Sequence, residues 1–154
     1  MQKCLFLDRD GVINKDKVDY VYSLNELKIL DGVPEAIQLA KKNGYKIIVI
    51  TNQSGIDKGI YTSADVEVVH KEISKLCFGN IDAYYFCPYH RSKTSSLARK
   101  PGSLMFEKAL AKFSIDPKKS WMVGDRYRDL EPAEKLQIKT ILVDSEYNDP
   151  YEGR

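Results

Sequence analysis

Four short apolar runs punctuate the chain: Cys4–Leu7, Lys46–Ile50, Trp121–Val123 and Thr140–Val143. Each is continuous rather than alternating, and most are rich in Val, Ile, Leu or Phe. Strands buried on both faces of a parallel sheet have this pattern. Ala83–Phe86, with two tyrosines and a phenylalanine, is a fifth candidate strand. Between the runs the period becomes helical. Val33 to Asn43 places Val33, Ile37, Leu39 and Ala40 on one side, with Gly44 as a stop signal. Thr62 to Leu76 opens on a Thr-Ser pair suited to N-capping. Ser103 to Phe113 carries Leu104, Phe106, Leu110 and Phe113, and Asp129 to Leu136 is a short helix. Strands alternating with helices predict an α/β fold with a doubly wound parallel sheet. Asn14 to Ile29 is polar and aromatic, which predicts a long loop or small hairpin after the first strand. Pro88 to Pro101 is basic, Ser-rich and aperiodic, and predicts a loop. Ser145 to Arg154 has the character of a loosely held end.

The length of 154 residues suits one domain, and no repeat, linker or low-complexity tail divides it. The hydrophobic and charged fractions, 43% and 30%, are those of an ordinary globular chain. The net charge of +2, with basic residues scattered among acidic ones, gives no reason to invoke nucleic acid or a membrane surface. Three cysteines, Cys4, Cys77 and Cys87, are too few and too irregular for a disulfide framework. Cys4 and Cys77 are expected as small buried residues. No apolar run has the length of a membrane span, and the residues before Asp8 are too few for a leader. The expectation is a soluble protein of the cytoplasm. Oligomeric state is not legible. Trp121 is expected in the core, and Tyr84, Tyr85 and Tyr89 are expected simply to pack.

Ligands of an open α/β sheet bind beyond the carboxyl ends of its strands. After the first run come Asp8-Arg9-Asp10-Gly11, and after the second Thr51-Asn52-Gln53-Ser54-Gly55. Gly124-Asp125 and then Asp129 follow the Trp121–Val123 run, and Arg99-Lys100 precede the third helix. Taken singly, each has a plainer explanation. Asp-x-Asp and Gly-Asp make turns, Thr-Asn makes a cap, and a lone lysine lies on the surface. Delivered together to one sheet edge, they have a joint chemistry. Clustered carboxylates raise one another's pKa unless a cation neutralises them. Asp8 and Asp125, with the carbonyl of Asp10, form a hard oxygen set suited to Mg²⁺. A carboxylate beside Mg²⁺ can attack phosphorus to give an aspartyl-phosphate, which makes Asp8 the candidate nucleophile. Asp10, two residues on, can protonate the leaving oxygen and then activate water. Thr51, Asn52 and Lys100 can hold the phosphate oxygens on which charge accumulates.

Four strings resemble, in order, the motifs of the haloacid dehalogenase-like phosphotransferases: Phe6-Leu7-Asp8-Arg9-Asp10-Gly11-Val12-Ile13-Asn14, Val49-Ile50-Thr51-Asn52-Gln53-Ser54-Gly55, Arg99-Lys100-Pro101 and Val123-Gly124-Asp125-Arg126-Tyr127-Arg128-Asp129. Within that superfamily, Asp-Arg-Asp-Gly-Val-Ile-Asn and Thr-Asn-Gln-Ser-Gly-Ile resemble the D-glycero-D-manno-heptose 1,7-bisphosphate phosphatases and the sister histidinol-phosphate phosphatases. The resemblance runs from about Leu5 to Val143. It implies a Rossmann-like core without a large cap, Mg²⁺ held by Asp8, Asp10 and Asp125, and an aspartyl-phosphate on Asp8. It also implies Asp10 as acid and base, and phosphate bound by Thr51, Asn52 and Lys100. Arg99 would reach the distal part of the substrate, and Asp129 would hold Lys100 or its loop. Substrate choice then falls to the loops Asn14–Leu30, Gly55–Thr62 and Pro88–Lys100.

Many members of this family bind structural Zn²⁺ through a Cys-x-His and a Cys-x-Cys pair in the loop before Arg-Lys-Pro. Here those positions are Cys87 and Tyr89, then Ser96 and Ala98. Cys87 and the neighbouring His90 supply two protein ligands where a tetrahedral site needs three or four, so no zinc is expected. Cys87 is then a leftover thiol and His90 a loop residue, and His70 is expected as a partly exposed helix residue. The resulting expectation is a Mg²⁺-dependent phosphomonoesterase acting on a small sugar phosphate, with the heptose bisphosphate as best guess. Histidinol-phosphate phosphatase, a nucleic-acid 3′-phosphatase and a catalytically silent binding module remain as alternatives. The absence of a basic stripe argues against nucleic acid.

Overall fold

A computed structural model describes residues 1–17, 19–89 and 97–144. The expectations for His90, Ser96 and the segment 145–154 fall outside these residues. Five parallel strands, β1 (Lys3–Leu7), β2 (Tyr45–Asn52), β3 (Ala83–Cys87), β4 (Trp121–Gly124) and β5 (Lys139–Leu142), form one sheet in the order β3-β2-β1-β4-β5. The helices between them are α1 (Val33–Lys42), α2 (Ser63–Leu76), α3 (Leu104–Phe113) and α4 (Tyr127–Lys135). A short 3-10 turn, Pro117–Lys119, leads into β4. Pleating sends alternate side chains of β1 and β2 to opposite faces. Cys4, Phe6, Ile48 and Ile50 pack with Phe106 and Ala109 of α3 and Ala133 of α4. Leu7, Ile47 and Val49 pack with Ile37 of α1 and with Val69 and Ile73 of α2. This is the Rossmann-like doubly wound sheet expected from the apolar runs, with β1 at its centre.

Local chemistry sets the element ends. Thr62 caps α2 through a reciprocal box with Asp65. Pro34 occupies the first turn of α1, and the left-handed Gly44 (φ 86°) follows its end. β2 runs on through Thr51 and Asn52, because these pair with Phe86 and Cys87 of β3. One antiparallel bridge joins Asn14 to Ile29, and the described residues between them form no strand, so the long-loop reading fits and the hairpin does not.

Several expectations need correction. The last strand is not buried on both faces: β5 is an edge strand, with Ile141 and Leu142 exposed. α4 begins at Tyr127, two residues early, because Asp129 serves as its capping residue at the third position instead of opening it. Trp121 is half-buried, with the Lys139 ammonium 5.2 Å from its ring. Tyr89 is exposed, while Tyr84 and Tyr85 pack as expected. His70 is buried rather than partly exposed. Its ring stacks on Tyr84 at 4.2 Å, a partner contributed by β3 that helical periodicity alone does not reveal.

Candidate active site

β1 ends against its neighbours in the middle of the sheet, where the Asp8 N–H donates to the Val123 carbonyl of β4 at 3.0 Å. The carboxyl ends of β1, β2 and β4 open into a cavity of about 260 Å³. Asp8, Asp10, Thr51, Asn52, Arg99, Lys100, Asp125 and Asp129 all line it, so every sequence-identified site residue converges there. Gly11 makes the convergence possible. It has φ +90°, and a Cβ on it would lie 2.1 Å from Asp125 Oδ2. Gly124 plays the same part for Asp129, whose Cβ would be 2.5 Å from an added Cβ.

At the floor, Lys100 is 1% exposed, and its Nζ donates to Asp8 Oδ1 and the Ile50 carbonyl, each at 3.0 Å. Its third partner is Asp129 Oδ1, at 2.5 Å. Burial alone would favour the neutral amine; the charges of Asp129 and Asp8 reverse this and hold Lys100 above the ordinary lysine range. Asp8 is pushed well above the ordinary carboxylate range, first by burial and then by Asp129, with Asp125 and Asp10 adding to it against the pull of Lys100. Asp129 spends its other oxygen on the Arg126 N–H at 3.1 Å. Both of its oxygens are thus engaged, one of them on Lys100 as the sequence reading expected. Asn52 clamps the turn carrying Lys100. Its Nδ2 donates to the Lys100 carbonyl at 3.2 Å, and its Oδ1 accepts from the Lys100 N–H at 3.0 Å. One N–H of the Asn52 amide is left for a ligand.

Asp10 is held differently from Asp8. Its Oδ1 accepts from Arg9 Nε at 3.1 Å, Arg9 Nη2 at 2.8 Å and Asn14 Nδ2 at 3.0 Å. Its Oδ2 accepts from Gln53 Nε2 at 3.0 Å. Burial would raise the Asp10 pKa; the Arg9 guanidinium and these hydrogen bonds outweigh it and hold the carboxyl below its usual range. Gln53 is itself oriented by Tyr61, whose hydroxyl donates to Oε1 at 2.7 Å. Arg9, Asn14, Gln53 and Tyr61 were not singled out from the sequence. Arg9, Asn14 and Gln53 stand in the strings that carry the family resemblance, without a role read from them, and Tyr61 stands outside those strings.

Asp8, Asp125 and Asp129 place carboxylate oxygens within 4.8 Å of one another, all buried. Lys100 pairs with two of these acids and cannot balance all three charges, and an oxygen-only set of this kind fits a hard divalent cation. Among the described residues, the cavity lining holds five acids and five cations, the latter being Lys17, Arg99, Lys100, Arg126 and Arg128. Cys87 is wholly buried in the apolar cluster with Phe106, and Ala98 packs against the same cluster. No helix among the described residues is long and apolar enough to cross a membrane.

The haloacid dehalogenase-like hydrolase family model matches residues 3–137. The chain belongs to this family. It is a phosphatase, as the similar proteins are. The D-glycero-D-manno-heptose-1,7-bisphosphate 7-phosphatase of Chlorobaculum tepidum is 38% identical, over 96% of this chain and 81% of that protein. The D-glycero-beta-D-manno-heptose-1,7-bisphosphate 7-phosphatase of Helicobacter pylori is 36% identical, over 92% of this chain and 83% of that protein. Among solved structures, the D,D-heptose 1,7-bisphosphate phosphatase of B. bronchiseptica, complexed with magnesium and phosphate, superposes with a TM-score of 0.85 at 28% identity, covering 92% of this chain and 80% of its own. A HAD-like phosphatase from Mesorhizobium loti gives 0.87 at 30% identity, covering 94% and 74%.

Proposed function

We propose that this phosphatase removes one phosphate from a small sugar bisphosphate, D-glycero-D-manno-heptose 1,7-bisphosphate, with Mg²⁺ as cofactor and Asp8 as nucleophile. The observation that carries the reading is the cluster of buried carboxylates Asp8, Asp125 and Asp129, the first and last of them paired with Lys100, at the end of the central strand. Asp8, Asp125 and the Asp10 carbonyl would hold the metal. Bound Mg²⁺ supplies charge neutralisation of the acids and polarises a phosphate oxygen. Lys100, turning one N–H from Asp8 to the incoming phosphate, binds the equatorial oxygens of the transferring group together with Thr51 and Asn52. An Asp8 oxygen attacks phosphorus as the bond to the sugar oxygen breaks, and Asp10 delivers a proton to that oxygen. Asp10 then takes a proton from water as the water attacks the aspartyl-phosphate, which frees Asp8 and inorganic phosphate. The incoming phosphate adds negative charge beside Asp10 and raises its pKa, so proton uptake accompanies binding. Arg99, which lines the same cavity as Lys17, Arg126 and Arg128, meets the distal phosphate. The similarity to proteins named 7-phosphatases supports the C7 phosphate as the reacting one.

The test is phosphate release with and without Mg²⁺ from the heptose bisphosphate, histidinol phosphate and a 3′-phosphorylated oligonucleotide. The expected result is Mg²⁺-dependent preference for the bisphosphate, lost in Asp8→Asn. Equal turnover by Asp8→Asn, or preference for histidinol phosphate, would overturn it.

A further inference from the structure

Arg9 is the largest wholly buried side chain among the described residues, and the reaction above gives it no part. A buried guanidinium is costly unless every donor is used. Here Nε and Nη2 converge on Asp10 Oδ1, Nη2 also donates to the Val21 carbonyl at 2.7 Å, and Nη1 lies 3.4 Å from His70 Nε2. His70 sits on α2, stacks on Tyr84 and is 6% exposed. Burial, then the Arg9 charge, lowers its pKa to about 3, so the ring is neutral and its Nε2 can accept from Arg9. A continuous contact chain therefore runs from Tyr84 through His70 and Arg9 to Asp10.

We infer that Arg9, braced by His70, is the positioning residue that fixes the rotamer of Asp10 and selects Oδ2 as the oxygen that carries the proton. Three N–H groups crowd Oδ1, from Arg9 Nε, Arg9 Nη2 and Asn14 Nδ2. Among the described residues Oδ2 accepts from the Gln53 amide alone and keeps a lone pair for the leaving oxygen and then for water. Orientation of this kind is what proton transfer needs, because the donor must lie within hydrogen-bond reach of the reacting oxygen. Tyr84 and His70 carry the restraint back to β3 and α2, so Asp10 is located by the sheet edge and not by its own loop alone. The inference rests on the assignment of Asp10 as acid and base.

Leaving-group dependence tests it. An aryl phosphate expels a phenolate that needs little protonation, whereas a sugar phosphate expels an alkoxide that needs much. kcat/KM for p-nitrophenyl phosphate and for the heptose bisphosphate is measured in Arg9→Met, His70→Leu, His70→Gln and Asp10→Asn. His70→Leu leaves the Arg9 charge beside Asp10 and removes only its brace; His70→Gln restores an acceptor. The expected loss on the sugar ester relative to the aryl ester is roughly 100-fold for Asp10→Asn and Arg9→Met, the low end of what a positioned acid contributes. For His70→Leu it is about fivefold, the worth of one hydrogen bond, and His70→Gln recovers it. If Arg9→Met does not fold, the two His70 variants decide the matter alone. Selective loss in Asp10→Asn with equal losses on both esters in the Arg9 and His70 variants would overturn the positioning role while sparing the assignment of Asp10. Equal losses on both esters in Asp10→Asn would overturn that assignment and the inference with it.

Discussion

His70 makes the stability of the fold depend on pH in a way that can be isolated. Burial and the adjacent Arg9 charge lower its pKa from 6.5 to about 3. Between these values the unfolded chain binds a proton that the folded chain refuses, so stability is complete above the unfolded value and falls as pH drops below it. At pH 5, about 1.5 units below the unfolded pKa, the linkage amounts to roughly 2 kcal/mol. Other groups act in the opposite sense. Asp8 is raised well above the ordinary range, and Asp16 to about 6, first by burial and then by a neighbouring acid, so the folded state takes up those protons early. The total pH profile is therefore not diagnostic, but the difference between wild type and His70→Gln is. The Gln amide cannot titrate and keeps an acceptor for Arg9. Urea unfolding at pH 7.5 and pH 5 is the assay. Wild type is expected to lose about 2 kcal/mol more than His70→Gln over that interval. Equal losses would refute the reasoning and show that the folded protein accommodates a charged His70.

Three further outcomes follow from the site. Gly11→Ala combines a left-handed φ of +90° with a Cβ 2.1 Å from Asp125 Oδ2. It is expected to cost at least about 1–2 kcal/mol in thermal unfolding and to displace Asp125, with loss of turnover. Asp129→Asn takes a charged partner from buried Lys100 and is expected to cost about 1.5–3 kcal/mol by urea unfolding. Mg²⁺ at a hundredfold excess over its dissociation constant is expected to stabilise the protein by about 2.7 kcal/mol in thermal denaturation, and Asp125→Asn to abolish most of that gain.

The sequence showed the strands and most of the site for one physical reason: both faces of a central parallel strand are buried, so its apolar run stops abruptly where the polar loop begins. Asp8, Thr51 and Asp125 stand at such stops. The same logic misread Thr140–Val143, whose apolar residues lie at an edge where one side has no partner strand. Asp129 and Lys100 were legible as neighbours because their motifs recur together in the family resembled. Arg9 and His70 were not, because 61 positions separate them and their contact exists only once α2 lies against the end of β1. Periodicity places a histidine on a helix face, but it does not say that a guanidinium and a tyrosine ring wait there. Asn52 was read as a phosphate ligand from its residue type; its use as a clamp on the Lys100 backbone depends on the chain returning between β3 and α3.

Covalent capture tests the central claim, that Asp8 is the nucleophile, most directly. A phosphate ester labelled at phosphorus is mixed with excess enzyme and Mg²⁺, quenched within one turnover, and the protein is digested and mapped. Label on the peptide carrying Asp8, absent without Mg²⁺ and absent in Asp8→Asn, is the result expected. Phosphate released with no labelled protein at any quench time, by an Asp8→Asn variant that still turns over, would contradict it.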